Sequence, residues 1–253
     1  MSKLPREHKF IDLSDYGRPI ARVIANSLKE TSCTPIDVTI WFMISGLFGI
    51  TAIVMGYYWF AAFFLILKSI LDAADGELAR VKKTPSYTGR YLDSVADIIL
   101  NIFIFITLWY TTEASGMYTF LAFIGVQLQG TLYNYYYVIL RNQVNGDKTS
   151  RIFEDNTPVA MKGEKQKDVD LLYALYNALY IIFDKTIYML DKNASSGKQL
   201  PKLLMTFLST FGLGFQLLII SVMLVLGYKE YIILFFMWYS LMIFVFIGAR
   251  KLL

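Results

Sequence analysis

Runs of about 20 apolar residues, separated by short polar stretches, fill most of the sequence beyond residue 38. An α-helix of that length crosses the ~30 Å hydrocarbon core of a bilayer. The pattern therefore predicts an all-α, polytopic membrane bundle of about six transmembrane helices in a single domain, residues 1–253. The six spans are expected at about 38–56, 59–80, 90–111, 117–140, 203–226 and 231–249.

Two stretches outside these runs predict helices that lie on the membrane surface. Residues 1–36 form a leader whose first 12 residues are polar and expected to be loose. Its residues 13–30 alternate charged and aliphatic positions, which is typical of an interfacial helix. The long segment 141–202 begins as a polar loop. Within it, residues 171–190 favour a second interfacial helix over a seventh span, because Asn177, Asp184 and Lys185 interrupt the apolar face.

The distribution of basic residues predicts the orientation of the bundle. The chain is 56% hydrophobic and only 17% charged, against about 25% charged in soluble domains. With six spans, 22 of the 24 lysines and arginines fall on the side of both termini. The positive-inside rule places that side in the cytoplasm. We expect a multi-pass protein with cytoplasmic termini, in a bacterial inner membrane rather than an organelle membrane.

Cysteine and histidine chemistry is largely excluded by composition. Cys33 is the single cysteine and His8 the single histidine of the sequence. An internal disulfide framework, a cysteine-based zinc site and catalysis by several histidines are therefore ruled out.

Four aspartates near the ends of the second and third predicted spans are not explained by membrane insertion. Acidic side chains near lipid are costly and usually functional. Asp72 and Asp75 share one helical face, and Asp93 and Asp97 share another, at spacings of three and four residues. Because the link between the two spans is short, both acidic faces should meet at the cytoplasmic edge.

Such a cluster of carboxylates predicts a metal site. All-oxygen ligands select hard cations, here Mg²⁺ or Mn²⁺. Two such ions can bridge and neutralise a diphosphate. Gly76 and Gly89 leave room for a ligand to approach closely, and Ala79 keeps the same face open. Arg80 can hold a phosphate, although snorkelling to the membrane surface is an alternative.

The segment 72–97 reads D-x-x-D-G-x-x-A-R, eight residues, then G-x-x-x-D-x-x-x-D. This pattern resembles the signature of the CDP-alcohol phosphatidyltransferase family, and a chance match is on the order of 10⁻⁷ at average residue usage. The resemblance implies phospholipid synthesis: transfer of a substituted phosphate group from a CDP-linked donor to an acceptor alcohol. It implies that Asp72, Asp75 and Asp93 bind metal. It further implies that Asp97 helps to bind metal and accepts the proton of the attacking hydroxyl.

The resemblance also suggests how the CDP moiety is held. Gly76, Ala79, Arg80 and Gly89 are the implied contacts. Ser86 is a further candidate for the donor phosphate, although an ordinary turn residue explains it as well. Many members carry Pro-Asn-x-x-Thr before the first span, whereas here Ile36 replaces the asparagine. That departure puts the asparagine contact in doubt and leaves Asp37 and Thr39 to frame the pocket.

Several alternatives stay open at this stage. The donor is expected to be CDP-diacylglycerol, and the alternative is head-group transfer from CDP-choline or CDP-ethanolamine to diacylglycerol. A diphosphate-using prenyltransferase and a membrane cation transporter are the rival functions. Lys68 either offsets the acidic charge or snorkels at the lipid edge. The tyrosines at 133–137 favour an aromatic belt over alcohol binding, with Arg141 beside them. We also expect a homodimer, contact with membrane lipids, and no nucleic-acid partner.

Overall fold

The computed structural model describes residues 4–144 and 156–252, apart from the Arg6 side chain. Within those residues the regular structure is helical, with no strand. The predicted all-α architecture is thus confirmed. Part of the predicted 142–170 loop lies outside the described residues. The α-helices are α1 Arg18–Leu28, α2 Pro35–Val54, α3 Tyr58–Lys82, α4 Tyr87–Thr111, α5 Gly116–Gln143, α6 Gln166–Leu190, α7 Lys202–Leu208, α8 Leu213–Val225, α9 Ile232–Tyr239 and α10 Met242–Lys251.

The predicted apolar runs all fall on helices, but the count of six spans is not confirmed. Three described helical stretches are long and apolar enough to cross a membrane: α2, α4 and the unit Lys229–Lys251. The α7–α8 pair makes a fourth if it is taken as one span bent by 55°. Helices α3 and α5 fall short of this test. Both carry polar side chains that face the cavity described below, and these lower their hydropathy.

Local sequence explains where the first long helices start and turn. Thr34 accepts a hydrogen bond from the backbone of Asp37, and the Asp37 side chain returns one to Thr34, so a capping box starts α2. Pro35 fits its first turn because no amide hydrogen is needed there. Gly56 and Gly227 adopt φ of +75° and +80°, which most side chains resist. They form the tight links after α2 and after α8.

Helix α2 packs against both α3 and α4. Glycines make this close approach possible. A Cβ at Gly46 would lie 2.8 Å from Leu100 of α4, and one at Gly49 would lie 3.0 Å from Leu65 of α3. The opposite surface of the bundle exposes large apolar side chains such as Trp59, which suits contact with lipid acyl chains.

The leader enters the bundle, which differs from the predicted loose and surface-bound segment. Leu4 is buried in the core. The Leu13 amide donates to Ser209 Oγ at 2.8 Å. A Cβ at Gly214 would lie 2.0 Å from the Ser14 carbonyl oxygen. Only a glycine on α8 therefore lets the leader backbone pack this tightly, a contact that periodicity alone does not reveal.

Helix α6 begins at Gln166, five residues before the predicted start, and packs against α4 and α5. The Tyr180 hydroxyl donates to the Ser94 carbonyl oxygen at 2.8 Å. Tyr91 of α4 is fully buried against Tyr173 and Tyr176 of α6. Helix α6 is not among the candidate spans, and its interfacial placement stays a prediction. Its packing makes it one wall of the site.

Candidate active site

The site lies where α3 ends and α4 begins, which we call the basic end of the bundle. Lys83 terminates α3 with φ of 56°, a left-handed conformation common at helix C-termini. Ser86 then starts α4 by accepting a hydrogen bond from the Gly89 amide at 2.8 Å. The link is therefore only a few residues long, and it returns the chain antiparallel to α3.

Three of the predicted aspartates converge. Asp72, Asp75 and Asp93 each offer a carboxylate oxygen, and these oxygens lie within 4.8 Å of one another. Thr39 Oγ1 donates to Asp75 Oδ2 at 2.7 Å, which fixes that carboxylate. Asp93 Oδ1 is buried and has no hydrogen-bond partner. A hard divalent cation fits this all-oxygen donor set and would satisfy the orphaned oxygen.

Asp97 lies one turn beyond Asp93 and makes a different contact. Its carboxylate pairs with Lys68 Nζ, which also lies 3.4 Å from Asp72 Oδ2. The Lys68 side chain is 2% exposed and stands 4.8 Å from the centre of the Phe42 ring. Lys68 thus points into the acidic cluster and not towards lipid, which decides between the two alternatives left open by the sequence. It supplies a fixed positive charge between Asp72 and Asp97.

These aspartates line a cavity of about 510 Å³, within the ~300–1,000 Å³ typical of small-molecule sites. Helices α3, α4, α5, α6 and α8 and the leader all contribute walls. On α5 the lining side chains recur every three or four residues and so form one face. They are Gln127, Thr131, Asn134, Tyr137 and Arg141.

Gly76 and Arg80 also line the cavity. A Cβ at Gly76 would meet only the Arg80 guanidinium, at 3.6 Å, which is ordinary contact. Packing within the protein does not require a glycine there, so the open space belongs to the cavity. Arg80 Nη2 lies 3.2 Å from Glu77 Oε1, and Glu77 also pairs with Arg18 of the leader helix. Glu77 thereby ties α1 to the motif.

Other predicted residues support the walls without lining the cavity. Ala79 and Gly89 lie outside the lining, and Asp37 is engaged in the α2 capping box. Ser86 Oγ donates to Glu164 Oε1 at 2.7 Å, as does the Thr88 amide. Although partial burial favours its neutral form, these hydrogen bonds hold the pKa of Glu164 below its ordinary value. Donor contacts by Ser86, Gly89, Ala79 and Asp37 stay predictions.

Sequence reasoning missed the amide-rich part of the site. Asn101 extends the Asp93–Asp97 face by one more turn, and Gln127 faces it from α5. Glu77 and Glu164 were missed because neither occupies a specified motif position. Polar residues spaced four apart within an apolar run were the available signal for Gln127 and Thr131. No comparable signal marks Glu164, whose partners are 76 and 78 residues away.

Comparison with known proteins agrees with this geometry. The sequence model of the family described as CDP-alcohol phosphatidyltransferase matches residues 22–180, more than half of the chain. That region contains all four aspartates and helices α2–α5. No individual curated protein matches the sequence. On the length of the family match, the chain belongs to the CDP-alcohol phosphatidyltransferase family, a family of metal-dependent transferases that use a CDP-alcohol donor and an alcohol acceptor in phospholipid synthesis.

Proposed function

We propose that this integral membrane transferase uses CDP-diacylglycerol as donor and a small alcohol as acceptor, releasing CMP. The convergence of Asp72, Asp75 and Asp93 inside a cavity, on the matched motif, carries the proposal. A cavity closed by five helices and the leader supports a reaction site more than a surface cation site.

Two Mg²⁺ or Mn²⁺ ions are the proposed cofactors. Asp72, Asp75 and Asp93 would hold one shared position, and Asp97 would complete the ligand set for the pair. When bound, such ions neutralise the diphosphate and stabilise both the entering and the leaving oxygen. The buried, unpaired Asp93 oxygen supports this assignment.

The donor is proposed to lie along α3. Gly76 leaves space for the nucleotide and Arg80 faces the same cavity, so its guanidinium would contact a phosphate oxygen. Ala79, Gly89, Ser86 and Asp37 are proposed to shape this region from behind. Thr39 has a second role, since it holds Asp75 in place.

Asp97 is the proposed general base. The acceptor hydroxyl oxygen forms a bond to the phosphorus that carries the lipid, and its proton passes to an Asp97 carboxylate oxygen. The bond from that phosphorus to the bridging oxygen breaks, and CMP leaves with the electron pair. Lys68 would keep the Asp97 carboxylate oriented during the transfer, because its ammonium is bonded to Asp97 and buried.

The setting of the site follows from charge. The basic end is proposed to face the cytoplasm of a bacterial cell, since 22 of the 24 basic residues fall on that side when six spans are counted. The functional unit is proposed to be a homodimer in the inner membrane.

The test is release of CMP from CDP-diacylglycerol by purified protein, with a set of radiolabelled alcohols as acceptors. We expect product only with Mg²⁺ or Mn²⁺ present. Asp72→Asn, Asp75→Asn and Asp93→Asn should each abolish turnover in folded protein, whereas Asp168→Asn, at the start of α6 outside the cavity, should not. Full activity in EDTA would contradict the metal assignment.

A further inference from the structure

The cavity continues past the aspartates into a part with a different character. Asn101 lies one turn beyond Asp97 on α4, about 6 Å farther along the axis. Gln127 and Thr131 lie one turn apart on α5, and Gln216 approaches from α8. We call these four residues the polar chamber. All four carry uncharged amide or hydroxyl groups.

Gln127 distinguishes the chamber from ordinary core. Its side chain is only 7% exposed, and its Nε2 group has no hydrogen-bond partner. A buried amide without a partner is destabilising, so such groups are normally satisfied by protein, water or ligand. Gln127 therefore offers an unused donor at the bottom of the cavity.

Gln129, two residues further along α5, shows the contrast. It is fully buried, and its Nε2 donates to Ser240 Oγ at 3.0 Å. Its Oε1 accepts from Gln216 Nε2 at 3.1 Å. One glutamine is thus used to join α5, α8 and α9, while Gln127 is left directed at the cavity.

The charges around the chamber indicate what it would hold. The basic groups that line the cavity are on other parts of it: Arg141 lies 14 residues along α5 from Gln127, or about 21 Å along the axis. A lipid tail would leave the chamber amides without partners. Hydroxyl groups would both donate to and accept from them.

Building on the proposed function, we propose that the polar chamber binds the uncharged, hydroxyl-bearing end of a water-soluble acceptor, with Gln127 as a direct contact. The acceptor hydroxyl then lies one helical turn from Asp97. It follows that the lipid enters on the CDP donor and that diacylglycerol is not the acceptor. Free polyols and their phosphate esters share this hydroxyl chemistry.

The experiment compares Gln127→Met with wild type under saturating CDP-diacylglycerol. Wild type is first assayed with glycerol, myo-inositol, serine, glycerol 3-phosphate and inositol phosphate, and separately with diacylglycerol plus CDP-choline. With the acceptor that supports turnover, Gln127→Met should raise KM for the acceptor about 3- to 10-fold, the effect of one hydrogen bond. KM for the donor should stay within twofold.

The control is Gln143→Met, on the same helix but outside the cavity, where Nε2 donates to the Gly197 carbonyl oxygen. It should leave both KM values unchanged. Turnover of diacylglycerol with CDP-choline, an unchanged acceptor KM in folded Gln127→Met, or an equal rise in both KM values would overturn the chamber assignment alone. Absence of CMP release with every donor and acceptor would overturn the proposed function and this inference with it.

Discussion

Asp97 is the residue on which the proposed proton transfer depends. Asn at this position keeps the side-chain shape and can still accept a hydrogen bond from Lys68, but it is not a base at neutral pH. We expect Asp97→Asn to bind the CDP donor nearly as wild type does and to lose turnover by about 10²–10⁴-fold. Donor titration and single-turnover rates measure the two effects separately.

Asp93→Asn is the comparison for this variant, because Asp93 belongs to the three converged carboxylates. It should weaken donor binding as well as turnover. Near-wild-type turnover in Asp97→Asn would show that the proton goes elsewhere. Loss of donor affinity would assign Asp97 chiefly to metal binding.

Lys68 should matter most when no divalent cation is present. Lys68→Met removes a buried positive charge and leaves Asp72 and Asp97 facing each other. Breaking such a buried pair typically costs about 3–5 kcal/mol. We expect thermal unfolding in EDTA to shift down strongly, and Mg²⁺ to restore much of the loss by replacing the missing charge.

The matched control is Lys29→Met, whose ammonium group is about half exposed and pairs with exposed Glu30. It should change stability by less than about 0.5 kcal/mol in either buffer. Equal unfolding temperatures for Lys68→Met and wild type in EDTA would show that Lys68 carries no such charge-balancing role.

Gly76 tests whether the open space beside Arg80 belongs to the donor. Gly76→Ala adds a methyl group that the protein itself accommodates at 3.6 Å from Arg80. The variant should fold normally and yet bind the CDP donor at least tenfold more weakly. Gly248→Ala is the control, because a Cβ at Gly248 would meet nothing within 4 Å. Unchanged donor affinity in Gly76→Ala would place the nucleotide elsewhere.

At the scale of elements, Glu164 anchors the start of α4 to the segment before α6. Its carboxylate accepts hydrogen bonds from Ser86, Thr88 and Met161. Because these bonds hold its pKa below the ordinary value near 4.3, the stabilisation is complete above that pH. It is lost as the pH falls through the lowered pKa.

We therefore expect Glu164→Gln to lower Tm at pH 7 by about 2–4 °C, the shift that roughly 1 kcal/mol produces in a chain of this size. The difference from wild type should shrink below pH 4, when wild-type Glu164 is also protonated. Thermal unfolding of both proteins across pH 3–7 measures this. A difference that is constant with pH would contradict the anchoring role.

The helices were predictable because their apolar runs and caps are local in sequence. Predicted spans and observed helix ends differ by only a few residues, as for α3, predicted at 59–80 and found at Tyr58–Lys82. The break between α7 and α8 was not predicted, because Ser209–Phe211 continues the apolar pattern as a 3-10 turn. Its bend depends on packing against the leader.

The site divides in the same way. Asp72, Asp75 and Asp93 follow from helical spacing within 22 residues, and they do converge. The contacts of Lys68 with Asp97, or of Tyr133 with Asp12, join residues 29 and 121 positions apart. Spacing along one helix cannot predict such pairs. They are set by how the helices and leader pack.

At the scale of the whole molecule, orientation is the open question with the clearest test. Single cysteines at Thr84 and Lys165 sit in exposed positions near the basic end, and one at Tyr228 sits beyond α8. In a Cys33→Ser background, an impermeant maleimide should label the first two only from the cytoplasmic face. Tyr228→Cys should be labelled only from the opposite face. The reverse pattern would place the aspartates outside the cell.

The docking of the leader between α3 and α8 also sets the order in which the protein matures during synthesis. Leu13 and Ser209, which hydrogen-bond, leave the ribosome 196 residues apart. The four aspartates are translated within the first 97 residues, yet one wall of their cavity does not exist until α8 has been inserted. Contacts this distant along the chain form late in folding. A nascent chain arrested before Ser209 would carry every motif residue into the membrane without the enclosure that makes them a site.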